Sequence, residues 1–251
     1  MWNRPQLMEE VADLLFTAGV AALLMMAAIV AARLPLFRIR EVVVVSELRE
    51  VRRGEIERAL AANLRGNFFS ARLETFRKSL EQLPWVRRAE VRRRWPASIE
   101  VRIEEHQPVA FWGRPGGRLL NSHGEIFLAG ISVPPPETLP VLAGPTGFAP
   151  EMLAYYRQAA ELLKTIGRKP RALNVSPRLA LQLKLDDGMI VELGRQQAKA
   201  TIRERLERFT GFYPWMLTAA GQRPEVVDMR YPNGFALRTG APPRDEGKGQ
   251  P

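Results

Sequence analysis

The sequence contains no cysteine and only two histidines, His106 and His123. The lack of cysteine excludes disulfides and thiolate-ligated metal sites, and neither histidine belongs to an HxxxH zinc pair. The sequence also has no GxSxG nucleophile elbow and no GxxxxGKS/T phosphate loop. Asp186 and Asp187 are adjacent carboxylates, but the Asp-Gly context is that of a tight turn. We predict no enzymatic activity and no catalytic, cofactor-binding or metal-binding residue; a triad assembled only by the fold is the open alternative.

Long apolar runs are also scarce, because only one uncharged run, Leu14 to Ala32, is apolar and long enough to cross a membrane. Its length of about 19 residues suits one membrane crossing, so we predict a single transmembrane helix over residues 14–34. A cleaved signal peptide is the main alternative, and a buried soluble helix is a weaker one. Against a signal peptide, Glu9, Glu10 and Asp13 precede the run where a basic cluster would be expected.

The distribution of basic residues around the predicted helix does not favour export of the C-terminal body. Arg4 precedes it, whereas Arg33, Arg38 and Arg40 follow it, and the positive-inside rule then favours a cytoplasmic C-terminal body. A large C-terminal domain can nevertheless translocate largely regardless of its charge. Orientation therefore has to be decided by other evidence.

The net charge of +10 raises the question of nucleic-acid binding. The arginines between positions 87 and 102 alternate with glutamates, and no aromatic stacking platform or base-reading helix accompanies them. We therefore predict no nucleic-acid partner. A solvated basic face near anionic membrane lipid is the preferred interpretation, and it suits the arginines after the apolar run best.

The segment from Leu80 to Trp112 has the most specific local pattern. Residues 86–94 and 98–105 alternate apolar and polar side chains with the period of two that indicates strands. If Trp95, Pro96 and Ala97 form the loop, opposite charges face each other across the hairpin. The predicted pairs are Arg92 with Glu100, Glu90 with Arg102, and Arg88 with Glu104.

Other elements follow from periodicity and from turn residues. Before the hairpin we predict a strand over 37–45 and helices over 53–64 and 71–83, the second capped by Ser70 and ended by Pro84. After Pro108 we predict short strands, a helix over 150–166, a hairpin over 179–193, and a basic helix over 196–212 that stops before Pro214. Two strands over 225–231 and 235–238 follow, and residues 241–251 read as a disordered tail.

Several motifs resemble those of the FtsQ/DivIB family of bacterial cell-division proteins. They are LPWVRRAEVRRRWPASIEVRIEEHQPVAFW at 83–112, LLNSHGEIF at 119–127, LPVLAGPTG at 139–147 and VVDMRYPNGFALR at 226–238. The resemblance implies an α+β protein with a single N-terminal transmembrane helix, a POTRA domain of order β-α-α-β-β, and a β-rich domain with two helices packed on a mostly antiparallel sheet. The resemblance implies a cytoplasmic N terminus at residues 1–13 and a transmembrane helix at 14–34. The POTRA domain then covers 37–107, the β-rich domain covers 108–240, and the disordered tail covers 241–251.

The resemblance also implies how the protein works. Members of this family are non-enzymatic divisome scaffolds of the inner membrane, with a cytoplasmic N terminus and a periplasmic body at the division septum. FtsB-like and FtsL-like division proteins are the implied partners, and a strand of the FtsB-like protein extends the terminal sheet edge. Other divisome proteins could contact the POTRA domain or the membrane helix. The implied partner-binding residues are Arg178, Val226, Val227, Met229, Arg230, Tyr231, Asn233, Gly234, Phe235, Ala236 and Leu237.

Two other functions remain as alternatives at this point. A POTRA-bearing protein of envelope assembly or secretion shares the first domain, but such proteins usually add a barrel or repeated POTRA units. A membrane-anchored envelope hydrolase would need converging acid, base or metal ligands.

Overall fold

The computed structural model describes residues 5–33, 39–61, 67–130, 133–198, 200–219 and 224–239. The chain divides into two compact units, Met1–Glu105 and His106–Pro251. The predicted disordered tail and the start of the strand predicted over 37–45 lie outside the described residues.

The N-terminal apolar run forms the helix α1, Pro5–Arg33. The part from Glu9 to Ala27 is long and apolar enough to cross a membrane. Its large apolar side chains, such as Leu14 and Phe16, are exposed, so they do not pack into a soluble core. The helix begins well before the predicted start at Leu14, because the preceding Met, Glu, Ala and Leu residues favour helix.

The rest of the first unit has the predicted order of strand, helix, helix, strand and strand. Its elements are β1 (Glu41–Val44), α2 (Arg53–Ala61), α3 (Leu73–Glu81), β2 (Val86–Arg94) and β3 (Ser98–Glu105). The sheet order is β1-β3-β2, with β3 parallel to β1 and antiparallel to β2. This arrangement confirms the predicted POTRA topology.

The register of the β2–β3 hairpin is the predicted one. Arg92 lies opposite Glu100, and the other two predicted charge pairs are also in register. On the opposite face Val101 is fully buried and faces Val91, with Ile99 and Ile103 buried on either side of it. A slip of one residue would expose this apolar row, so the core fixes the register.

The predicted N-cap of the second helix was wrong. The helix α3 begins at Leu73 after Arg72, which makes no side-chain cap. The Ser70 hydroxyl instead donates to Asn67 Oδ1 at 2.9 Å, and that oxygen also accepts the Phe69 and Ser70 N–H groups. The Asn67 side chain therefore builds a local turn that competes for Ser70.

In its described residues the second unit contains one nine-stranded sheet and two long helices. Its elements are β4 (Pro108–Trp112), β5 (Arg118–Asn121), β6 (Ile126–Leu128), β7 (Val141–Ala143), α4 (Ala149–Lys164), β8 (Pro170–Val175), β9 (Ala180–Leu185), β10 (Ile190–Arg195), α5 (Ile202–Ala219), β11 (Pro224–Asp228) and β12 (Ala236–Thr239). The strand order is β12-β11-β10-β9-β8-β7-β4-β5-β6. Helices α4 and α5 cover one face and share its core with the sheet. The predicted mostly antiparallel α+β fold is confirmed.

Two central strands, β7 and β8, were not predicted from the sequence. β7 pairs in parallel with both β4 and β8. It has only three residues, which is too short to show a period of two. The sheet therefore gains parallel pairs that the sequence pattern did not indicate.

The basic helix was predicted to end before Pro214, and this was wrong. α5 runs to Ala219 with Pro214 inside it. Leu206, Phe209, Tyr213 and Met216 are all buried at helical spacing across the proline. This continuing apolar stripe outweighs the backbone hydrogen bond that proline removes.

Candidate partner-binding edge

The last two strands of the second unit form one edge of its sheet. β11 lies between β10 and β12, whereas no strand pairs with the outer side of β12 in the part of the chain that the structure describes. Leu237 of β12 lies opposite Val227, and Ala236 lies opposite Asp228. The outer N–H and C=O groups of β12 can therefore template another strand.

The side chains of this edge divide between the two faces of the sheet. Val227 and Met229 are fully buried in the core beneath the helices, and Leu237 packs beside them. Ala236 and Arg238 alternate with Leu237, so they lie on the opposite face, where both are exposed. The buried residues position the edge, and the exposed ones are available for contact.

The turn between β11 and β12 is held by one arginine of α5. The Arg208 guanidinium donates hydrogen bonds to the carbonyl oxygens of Met229 at 3.2 Å and Tyr231 at 2.9 Å, and also to that of Pro232. These three carbonyls belong to the turn that contains Asn233 and Gly234, two of the predicted partner-binding residues. Arg208 thus fixes the path of the chain into β12.

An aromatic cluster of Phe212, Trp215 and Phe235 lies at the start of β12. The Phe235 ring centroid is 5.4 Å from that of Phe212 and 6.0 Å from that of Trp215, the latter in an edge-to-face arrangement. Trp215 is 57% exposed, and Tyr231 in the adjoining turn is 55% exposed. Exposed aromatic rings on a rigid frame are typical contact points in protein interfaces.

A charged pair lies where β11 ends. Arg230 donates to Asp228 at 2.6 to 3.0 Å through Nε and Nη2. The hydrogen bond from the Arg230 side chain is the main reason that the pKa of the Asp228 carboxyl is lowered. The Arg230 stem crosses β10 at Gly194, where φ is +71° and a Cβ would lie 2.9 Å from Arg230 Cγ. Glycine at this bulge therefore gives the arginine room.

Arg178 lies at the same end of the sheet as Tyr231. It is exposed just before β9, and Ala180 of β9 pairs with Arg195 at the end of β10. Because β10 and β11 are parallel, the turn after β11 also lies at this end. Three strand spacings of about 4.8 Å separate β9 from β12, so Arg178 is roughly 14 Å from the edge. A partner that contacts both must extend past β12 over the strand ends.

Comparisons with known proteins identify the family. Residues 37–106 match the POTRA domain of FtsQ type, and residues 110–230 match the C-terminal region of cell division protein FtsQ/DivIB. The chain is 34% identical to cell division protein FtsQ of Burkholderia pseudomallei over 95% of this chain and 94% of the relative. The chain belongs to the FtsQ/DivIB family. FtsQ of Nitrosospira multiformis is 36% identical over 95% of this chain and 99% of its own length. FtsQ of Shewanella oneidensis is 41% identical over 74% and 68%, respectively.

Membership of the FtsQ/DivIB family supports a role in cell division. Together with the apolar helix α1, it supports a membrane-anchored division protein. The C-terminal match ends at residue 230, so Tyr231, Phe235 and β12 lie beyond it.

The polar residues considered as candidates for chemistry have structural partners. Asn121 Nδ2 lies 2.9 Å from His106 Nδ1, and the His106 ring stacks on Phe127. Asp187 accepts the Met189 N–H and pairs with Arg168 at 3.1 Å. Among the described residues no group of three or more His, Asp or Glu side chains could hold a metal ion.

Sequence reasoning missed three contributors to the edge: Arg208, Phe212 and Trp215. Each lies on α5, whose predicted extent stopped before Trp215. Their proximity to the 229–235 segment depends on how α5 crosses the sheet, which no local pattern reports. The one available signal was the Phe-Tyr-Pro-Trp sequence at 212–215, in which two aromatics fall outside the buried stripe.

Proposed function

We propose that the protein is a non-enzymatic scaffold that recruits FtsB-like and FtsL-like division proteins at the septum through β12. The proposal is carried by one observation: among the described residues no strand pairs with the outer side of β12, which lies next to the exposed aromatic cluster. The proposed identity of the partners is what the family resemblance implies, and the edge supports a mechanism for binding them.

The mechanism is strand addition. A partner strand would form main-chain hydrogen bonds with β12, and its alternate side chains would contact the two faces of the extended sheet. On the helix side these side chains meet Leu237, Phe235 and the exposed ring of Trp215. On the opposite side they meet Arg238. The partner strand is thus expected to be apolar on one face and polar or acidic on the other.

Residues at the end of the sheet would extend the interface. Tyr231 offers an exposed ring, and Arg178 offers a cation about three strands away. Arg230 is already paired with Asp228, so it would present its remaining donors together with that carboxylate. This combination suits a partner that places a carboxylate beside the strand it adds.

The first unit would serve other contacts. The outer sides of β1 and β2 are edges of the three-stranded sheet, and α1 carries apolar side chains around its circumference. We propose that these surfaces meet other divisome proteins and membrane lipid. In this proposal the second unit is the one that binds the FtsB-like protein.

Tyr231→Ala is expected to weaken association with an FtsB–FtsL-like complex by up to about 3 kcal/mol, because it removes an exposed interface ring. Isothermal titration with the full chain in detergent measures the change. Leu128→Ala is the matched control, since Leu128 is 65% exposed on the opposite edge strand, β6. Equal affinity loss for both variants would contradict a specific role for the β12 edge.

The body after α1 is expected to lie in the periplasm, as the family resemblance implies. A reporter that is active only after export should therefore be active when fused to the C terminus. The same fusion with a reporter that is active only in the cytoplasm should be silent. The reverse result would establish the orientation that the arginines after α1 favour by charge.

A further inference from the structure

The first unit carries an exposed aromatic pair at the closed end of its β2–β3 hairpin. Trp95 is 67% exposed and Phe69 is 48% exposed, while Phe68 between them is buried. The Phe68 ring centroid lies 5.9 Å from that of Trp95 and 5.3 Å from that of Phe69, both edge to face. We call Phe68, Phe69 and Trp95 the hairpin tip. Large apolar side chains exposed together usually mark a contact surface.

The hairpin tip is held by hydrogen bonds. Arg93 Nε donates to the Phe68 carbonyl at 2.7 Å, and Arg93 Nη2 donates to the carbonyls of Phe69 at 3.2 Å and Ala71 at 2.9 Å. These bonds join the 67–71 loop to β2. Since the two exposed rings come from both joined segments, their arrangement is fixed before any partner binds.

Chain connectivity keeps the hairpin tip near the end of the membrane helix. The Arg40 N–H donates to the Ala97 carbonyl at 2.9 Å, which places Arg40 beside the hairpin loop. Arg33 is the last residue of α1. Even fully extended, the chain from Arg33 to Arg40 spans at most about 25 Å. The tip is thus tethered within reach of the bilayer surface.

The surroundings of the hairpin tip are basic. Arg40, Arg72 and Arg94 are all exposed. Arg40 is hydrogen-bonded to Ala97 in the hairpin loop. In the chain, Arg72 follows Ala71 and Arg94 precedes Trp95. Glu100 lies one strand from Arg94 on the same face, where it is opposite Arg92, and Glu41 follows Arg40 in the chain. The arginines around the tip nevertheless outnumber these acidic side chains. Aromatic rings at headgroup depth with arginines around them match an anionic lipid surface.

We propose that the hairpin tip docks on the anionic surface of the membrane that holds α1, with Trp95 and Phe69 at the depth of the lipid headgroups. This contact would limit the orientations of the first unit relative to the bilayer. The tether and the surrounding arginines favour lipid over a protein partner, because both place a cationic aromatic surface at the membrane. The proposal is independent of strand addition at β12 and of the direction in which α1 crosses.

The test uses the full chain in nanodiscs of phosphatidylcholine with and without phosphatidylglycerol. Some discs carry lipids brominated near the top of the acyl chains, since bromine quenches only nearby tryptophan. The emission of Trp95 is obtained by subtracting the tryptophan fluorescence of Trp95→Phe from that of the parent. Circular dichroism checks that both proteins are folded. We expect this difference signal to be quenched in anionic brominated discs. The corresponding signal from Trp215→Phe reports on the exposed tryptophan of the second unit.

A pair of charge variants tests the electrostatic part. Arg94→Gln should lower the ratio of docked to undocked tip about fivefold, which corresponds to ~1 kcal/mol per basic side chain near an anionic surface. Arg88→Gln is the matched control, because Arg88 lies on the same face of β2 but about 20 Å farther along the strand. High salt should reduce quenching in the parent.

An unquenched Trp95 signal in anionic discs would overturn the proposal. Protection of Trp95 from acrylamide without quenching by brominated lipid would overturn it as well, and would point to a protein contact. Equal quenching in discs with and without phosphatidylglycerol, or equal effects of Arg94→Gln and Arg88→Gln, would refute the charge-based recognition.

Discussion

Val101→Asp is expected to unfold the first compact unit. Val101 lies in β3, the middle strand of the three-stranded sheet, and is fully buried opposite Val91 on one side and Val44 on the other. The nearest described cation on the core face, Arg93, lies opposite Ile99. Its guanidinium already donates to the carbonyls of Phe68, Phe69 and Ala71, so a carboxylate at 101 would compete with bonds that the fold uses. Burying it should cost more than about 3 kcal/mol, a large fraction of the stability of a small domain.

Hydrogen exchange of the full chain in detergent measures this effect in each unit separately. The amides of β2 and β3 should lose their protection in Val101→Asp, whereas those of β8 to β10 should keep theirs. Arg102→Ala is the matched control, since Arg102 is exposed one position along and lies opposite Glu90 in the register. Exposed opposite charges across a hairpin contribute only about 0.2–1 kcal/mol. Retained protection in Val101→Asp would mean that the faces of the hairpin are assigned wrongly.

A proline in β12 is expected to abolish most of the binding to an FtsB-like strand. Backbone N–H groups alternate in direction along a strand, so one of Arg238 and Thr239 directs its N–H away from β11. Proline at that position removes a bond to the added strand and introduces a ring at the edge. Loss of the hydrogen bond alone should weaken association up to about tenfold, since one such bond contributes up to ~1.5 kcal/mol. The proline ring at the edge should weaken it further.

Comparison of the two proline variants shows which N–H faces outward. The proline at the outward position should leave the melting temperature of the second unit unchanged and weaken binding, whereas the other should lower the melting temperature. Arg238→Ala and Thr239→Ala control for the loss of the side chains. Full-strength binding by both folded proline variants would exclude strand addition at β12 and move the recruiting surface elsewhere.

The two predictions differ in how much of their basis was visible in the sequence. The hairpin register could be predicted because side chains alternate with a period of two, and both the apolar row and the charge pairs agree on one alignment. The β12 edge was predicted from the family resemblance at 226–238. Its position at the end of a nine-stranded sheet became clear only from the strand order.

Long-range packing explains what the sequence did not reveal. Pro214 looks like a helix stop, but the buried stripe on either side of it binds the core strongly enough to carry α5 past it. The extended helix then brings Trp215 onto Phe235, from another part of the chain. β7 was likewise missed because its three residues become a strand only between two parallel neighbours.

The sequence by itself determined an apolar N-terminal helix long enough to cross a membrane, the β-α-α-β-β order of the first unit, the register of its hairpin and the family. Each of these depends on local periodicity, length or contiguous motifs, which the chain carries whatever its tertiary contacts. Only the tertiary structure decided that the outer side of β12 is an edge, that α5 places aromatic rings beside it, and that Phe69 joins Trp95 at the hairpin tip. Those features arise where distant segments meet, because burial of apolar area between them, and not local preference, fixes their positions.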